Sequence, residues 1–83
     1  VCAGAGGSCV DDAIEQGCEA FLTGEMKHHD IIAARERGCT VLLAGHTNTE
    51  RGYLKILRKS LSRALPGVSF VISRRDRDPL RSL

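Results

Sequence analysis

Short apolar runs ending in glycine alternate with amphipathic stretches along the first half of the chain. Val1-Cys2-Ala3-Gly4, Phe21-Leu22-Thr23-Gly24 and Val41-Leu42-Leu43-Ala44-Gly45 are three such runs. Their length and the turn-forming residues around them read as buried strands. The second and third copy one another: Gly17-Cys18 through Gly24 superposes on Gly38-Cys39 through Gly45 at an offset of 21 residues. A unit of that length has room for one strand and one helix.

Between the strands the apolar period changes from two to three-and-four. Residues 8–16 open with Ser8 and Asp11, an S-x-x-D capping signature, gather Val10, Ala13 and Ile14 on one side, and stop at Gly17. Residues 27–37 turn Ile31 and Ala34 inward and stop at Gly38. The longest predicted helix, 49–65, aligns Tyr53, Leu54, Leu57, Leu61, Ala64 and Leu65 before Pro66-Gly67 ends it. A fourth strand is predicted over 68–73.

The order is β-α-β-α-β-α-β. Helical crossovers make the strands of one sheet mostly parallel, so the fold class is an α/β layer, a single domain over residues 1–83. Parallel strands bring all their carboxyl ends to one edge. Ala5, Glu25 and His46, each just after a strand-ending glycine, therefore meet where open α/β sheets bind ligands. So thin a layer is short of cover. It is expected to be completed by another portion of the same protein or by another subunit.

Composition narrows the classes of partner. An apolar fraction of 42% with 27% charged residues is that of a folded soluble domain, and the absence of Trp removes the best base-stacking side chain. The net charge of +2 is too small to recruit nucleic acid by its field alone. Arg51, Lys55, Arg58, Lys59 and Arg63, then Arg74, Arg75, Arg77 and Arg81, read as a solvated basic face, with nucleic-acid contact a minor alternative. Cys2, Cys9, Cys18 and Cys39 form no C-x-x-C pair, which points to reduced, mostly buried thiols rather than two disulfides. No run approaches a membrane span, and no secretory leader is recognised in these residues. The expected location is the cytoplasm, or the mitochondrion if a targeting segment precedes Val1.

Three stretches could carry chemistry. In His46-Thr47-Asn48-Thr49-Glu50, a histidine closing a strand and a carboxylate in the next helical turn can share a zinc, iron or manganese ion. The competing reading of Thr47-x-x-Glu50 is a capping box, with Glu50 reaching back to the Thr47 amide. In Thr23-Gly24-Glu25-Met26-Lys27-His28-His29-Asp30, Glu25 precedes His28 and His29 by three and four positions. That spacing allows a carboxylate–histidine pair, of the kind that orients metal ligands, or a solvated helix start. The turn Gly4-Ala5-Gly6-Gly7-Ser8 resembles half of a dinucleotide fingerprint, but Cys9 stands at the third glycine position and a plain tight turn serves as well.

Taken in order, the glycine-rich strand end, Thr-Gly-Glu-Met-x-His-His-Asp and Gly-His-x-x-Thr-Glu-Arg-Gly are similar to the C-terminal segment of the Ngg-interacting-factor-like family, also described as GTP cyclohydrolase I type 2-like. The likeness continues into Ser73-Arg74-Arg75-Asp76-Arg77-Asp78-Pro79-Leu80. The resemblance implies a dinuclear centre of divalent transition metals, with His46 and Glu50 supplying two ligands and the N-terminal part of the same protein supplying three more. It further implies that Glu25, with His28 or His29, flanks that centre or faces a substrate such as a purine nucleotide, and that subunits assemble as a homo-oligomer, a ring of six. Hydrolysis by such a centre is one function class implied. A module that binds protein partners in transcription, without catalysis, is the other. The chain by itself, holding two of five ligands, is expected to be inactive.

Overall fold

The computed structural model describes residues 1–81. Three strands, β1 (Cys2–Ala5), β2 (Ala20–Glu25) and β3 (Thr40–Leu43), form one parallel sheet in the order β1-β2-β3. Helix α1 (Val10–Glu15) crosses from β1 to β2 and α2 (His28–Glu36) from β2 to β3; α3 (His46–Arg51) and α4 (Tyr53–Ala64) come after them. The α/β class and the parallel strands are as the sequence pattern predicts. Positive φ at Gly17 and Gly38 ends the two crossover helices, a conformation open to glycine without steric cost.

Val10, Phe21, Ala34 and Cys39 form the core, and Thr23 beside them is fully buried. This core occupies one face of the sheet, where α1 and α2 pack; Arg37 Nη1 bonds Asp11 Oδ1 at 2.6 Å and ties the two helices together. On β2 the residues alternate, so Phe21 and Thr23 point inward while Leu22 stands exposed, next to the exposed Leu42 of β3. Parallel sheets are ordinarily covered on both faces. Here, among the described residues, the other face is left largely open, with Leu22 and Leu42 exposed and α3 reaching only its carboxyl edge.

Several sequence expectations change in detail. Ser8 does not cap α1: it lies in a turn closed by the Cys9 amide bonding Gly6 O at 3.0 Å, and Cys9 takes the cap position without a side-chain bond. The single long helix is two, beginning at His46 and interrupted at Gly52. The fourth strand does not form. The Val68 amide bonds Leu65 O in a tight turn, and residues 68–73 then run beside α4, where Phe70 and Ile72 share with Leu54, Leu57 and Leu61 a groove of about 400 Å³. The expectation of mostly buried thiols is also corrected. All four cysteines are free, but Cys9 and Cys18, at the surface turns flanking α1, are exposed, and only Cys39 lies in the core.

Candidate metal centre

The site is built on an irregularity in β1. Cys2 pairs with Thr23 and Ala5 with Glu25, so β1 uses three steps where β2 uses two; the register shifts between Cys2 and Ala5, a stretch that contains Gly4 with φ of +71°. An extra residue of this kind leaves the ladder and re-aims the chain beyond it. The Gly4 amide donates to Thr49 Oγ1 at 2.9 Å, and the Gly4 carbonyl accepts from Thr23 Oγ1 at 3.1 Å. Both backbone groups are thus satisfied by threonines from other elements.

Glycines also set how closely α3 approaches the sheet. A Cβ on Gly24 would lie 2.7 Å from the Cα of His46 and 2.6 Å from Thr49 Oγ1. A Cβ on Gly4 would lie 2.6 Å from Glu50 Oε1 and 3.2 Å from His46 Nε2. The first turn of α3 therefore rests on bare backbone, and its two metal-ligating side-chain types converge over Gly4.

His46 opens α3 directly after Gly45, and Glu50 stands one turn later on the same side. The capping-box reading of Glu50 does not hold. The cap position is Gly45, no side chain caps the helix, and Glu50 Oε1 lies 3.3 Å from His46 Nε2. The other ring nitrogen, Nδ1, is 2.8 Å from Glu25 Oε1. The carboxylate–histidine pair that spacing offers to Glu25 and His28 or His29 is thus made with His46. Glu25 is the last residue of β2, outside the helix on which that spacing would apply. His29 is exposed and its Nε2 lies 3.2 Å from Asp30 Oδ1; His28 begins α2 at the surface.

Hydrogen bonding to Glu25, and then the negative charges of Glu50 and Glu25, raise the His46 pKa above its ordinary value despite the opposing effect of partial burial. The same arrangement defines what the neutral ring can do. With Nδ1–H donated to Glu25, Nε2 presents a lone pair toward a carboxylate oxygen, two acceptors face to face. A proton or a cation on Nε2 resolves that conflict.

A metal ion fits this donor set. Two ligands each about 2.0–2.2 Å from a common ion, at octahedral or tetrahedral angles, are separated by about 2.8–3.6 Å, which spans the Nε2–Oε1 distance here. An imidazole oriented through its other nitrogen by a carboxylate is the usual support of such a ligand. Among the described residues no group of three or more His, Cys, Asp or Glu side chains is arranged to hold a metal; at His46 the two carboxylates lie on opposite ring nitrogens. Beside Glu25 opens a cleft of about 630 Å³, walled by Ala5, Gly7 and Ser8 on one side and Met26, Lys27 and Asp30 on the other.

Thr23 and Thr49 are the supporting residues that sequence reasoning passes over. Thr23 stands out only as the threonine of the Thr-Gly-Glu motif, and Thr49 only as the start of a helix.

A family profile for Duf34/NIF3 (NGG1p interacting factor 3) matches residues 1–79. The chain belongs to this family. The match runs through the motifs on which the resemblance rests, as far as Pro79. NIF3-like protein 1 of Rattus norvegicus is 46% identical over 84 residues, which covers 98% of this chain and 21% of the relative. The protein NIF3 homolog of Schizosaccharomyces pombe is 39% identical over 88 residues, 100% of this chain and 31% of its own length. A GTP cyclohydrolase 1 type 2 homolog of Haemophilus influenzae is 44% identical over 63 residues, 76% of this chain and 25% of its own. No solved structure gives a significant match. The Duf34/NIF3 chain described here thus spans about a fifth to a third of the length of these relatives.

Proposed function

We propose that this chain supplies one side of a divalent-metal centre in a metal-dependent hydrolase, with His46 Nε2 and Glu50 as ligands and Glu25 as the carboxylate that orients His46. The observation that carries the reading is the placement of a carboxylate on each ring nitrogen, 2.8 Å at Nδ1 and 3.3 Å at Nε2, over a glycine that keeps the space clear. The remaining ligands come from outside these residues, from the additional length that the relatives possess or from another subunit.

Zinc, iron or manganese bound there supplies Lewis acidity toward a water and toward the substrate electrophile. The chain's own residues do the rest. Glu25 holds the proton on Nδ1 and so keeps Nε2 free to ligate; Gly4 admits both donors; the cleft beside Glu25 is the room we assign to substrate, with Lys27 its cationic wall. The name of the Haemophilus relative makes a guanine nucleotide the first substrate to try. His28 and His29, exposed at the start of α2, are assigned no ligand role.

A second reading is favoured by a separate observation: exposed apolar residues on the open sheet face and on α4, together with the name of the Saccharomyces relative, NGG1-interacting factor 3. In this reading the chain binds a protein partner and Glu50 is dispensable. Titration of the isotope-labelled longest native form of the protein with manganese(II) separates the two. The metal reading expects paramagnetic broadening centred on His46 and Glu50 and abolished in H46A and E50Q, with no GTP turnover by the isolated chain. Broadening spread over surface carboxylates, unchanged in both variants, would remove the metal reading and leave the partner-binding one.

A further inference from the structure

The bulge at Gly4 is joined to α3 by one side chain. Thr49 Oγ1 accepts the Gly4 amide at 2.9 Å across 45 positions of sequence, and its own proton is offered to His46 O at 2.8 Å, with Gly45 O farther at 3.2 Å. Threonines within helices commonly bond the carbonyl three or four residues back, and that alone would carry no meaning. The strand amide received by the same oxygen is different in kind. It makes a continuous series: Thr23 hydroxyl to Gly4 carbonyl, Gly4 amide to Thr49 hydroxyl, Thr49 hydroxyl to His46 carbonyl. The series runs from a fully buried residue of β2 to the backbone of the histidine whose ring faces Glu50. The hydroxyl also sits where any Gly24 side chain would be, so it occupies a socket made by two glycines.

We infer that Thr49 is a positioning residue for the His46–Glu50 pair: its hydroxyl locks the Gly4 bulge to the start of α3 and thereby fixes both donors over Gly4. The alternative role, filling of space by the Thr49 methyl group, is separated by chemistry. T49V keeps shape and loses the hydroxyl; T49S keeps the hydroxyl and loses the methyl. The inference rests on the metal-centre reading for one of its three readouts only.

Both variants are made in the longest native form of the protein, and folding is checked by circular dichroism. Without metal, nuclear Overhauser effects from Gly4 Hα to the His46 ring and to the Glu50 side chain, with the exchange rate of the Gly4 amide, report the pair's seating. Zinc(II) affinity by calorimetry reports the pair's use. Loss of a group that orients a ligand typically weakens metal binding about 10–100-fold. T49V is expected to lack the Overhauser effects from Gly4, exchange its Gly4 amide faster and show that loss of zinc affinity, while T49S behaves as the wild type in all three. Should T49V fail to fold, T49A against T49S gives the same comparison. Overhauser effects and zinc affinity both unchanged in a folded T49V would overturn the inference while leaving the metal reading standing. Disappearance of the Overhauser effects in T49V, with a parent chain that binds no zinc, would support the positioning role and count against the metal reading instead.

Discussion

His46 is the residue on which two carboxylates act through different nitrogens, and its protonation is the most direct residue-scale consequence. Glu25 and Glu50 raise its pKa above the ordinary value near 6.5. A folded-state pKa above the unfolded one means the pairing stabilises fully below the unfolded value and is lost as pH rises through the folded one. The His46 Hε1 resonance should therefore titrate above about 6.5 in the wild type and fall back toward it in E25Q. E25Q should also be more destabilising in melts at about pH 6 than in melts above the wild-type midpoint. A midpoint indifferent to E25Q would contradict the assignment of Glu25. Because a metal needs neutral Nε2, uptake at this site should rise with pH through that same midpoint. Much of this is legible in sequence, since the strand-end rule puts Glu25 and His46 on one edge of a parallel sheet. The partner of Glu25 is not. Helical spacing to His28 and His29 assumes Glu25 lies on the helix, whereas it closes β2. The capping box misleads about Glu50 for a related reason: it presumes a helix beginning near Thr47, but Gly45 precedes the helix and places Glu50 one turn beyond His46. Thr23 and Thr49 bond a backbone group far away in sequence, and no local pattern announces that.

At the scale of elements, glycines explain both the successes and the misses. Gly24, Gly38 and Gly45 punctuate the repeat, which is why β2, α2 and β3 fall close to where periodicity predicts them. Apolar spacing alone makes Gly52 the interior of one long helix. It keeps right-handed helical angles, φ −58° and ψ −28°, yet marks the joint between α3 and α4. An added Cβ there meets nothing within 4 Å. Replacing it with alanine removes unfolded-state freedom without collision, so G52A should stabilise the chain by about 0.5–1 kcal/mol in thermal or denaturant unfolding. A destabilised G52A would show that the joint needs glycine for a motion or contact outside these residues. The fourth strand fails for a reason local sequence does not contain: an alternating apolar stretch pairs only if a free edge lies beside it. The Val68 turn instead lays it along α4, where the ion pair of Arg51 with Asp76, Nε to Oδ2 2.9 Å, holds the next segment.

The whole molecule is flat and extended, 52 × 35 × 15 Å, with a radius of gyration of 16.4 Å. A compact domain of this length would have about 12 Å. The excess reflects α4 and the segment after it, whose Tyr53, Ile56, Leu65 and Val71 are exposed, as are Leu22 and Leu42 on the open sheet face. Surfaces of this kind are interfaces in waiting. The 83-residue chain should therefore sediment as a concentration-dependent mixture of species, and L42K should shift it toward monomer; a monomer at all concentrations in the wild type would show that the open face needs no cover. Among the described residues no helix is long and apolar enough to cross a membrane. The central claim, that His46 and Glu50 are ligands in a centre completed from elsewhere, is tested most directly by metal content. Mass spectrometry on the longest native form of the protein, wild type against H46A and E50Q with folding checked by circular dichroism, should find about two transition-metal ions per chain in the wild type and their loss in both folded variants. Equal metal content in all three, or none in any, would contradict it.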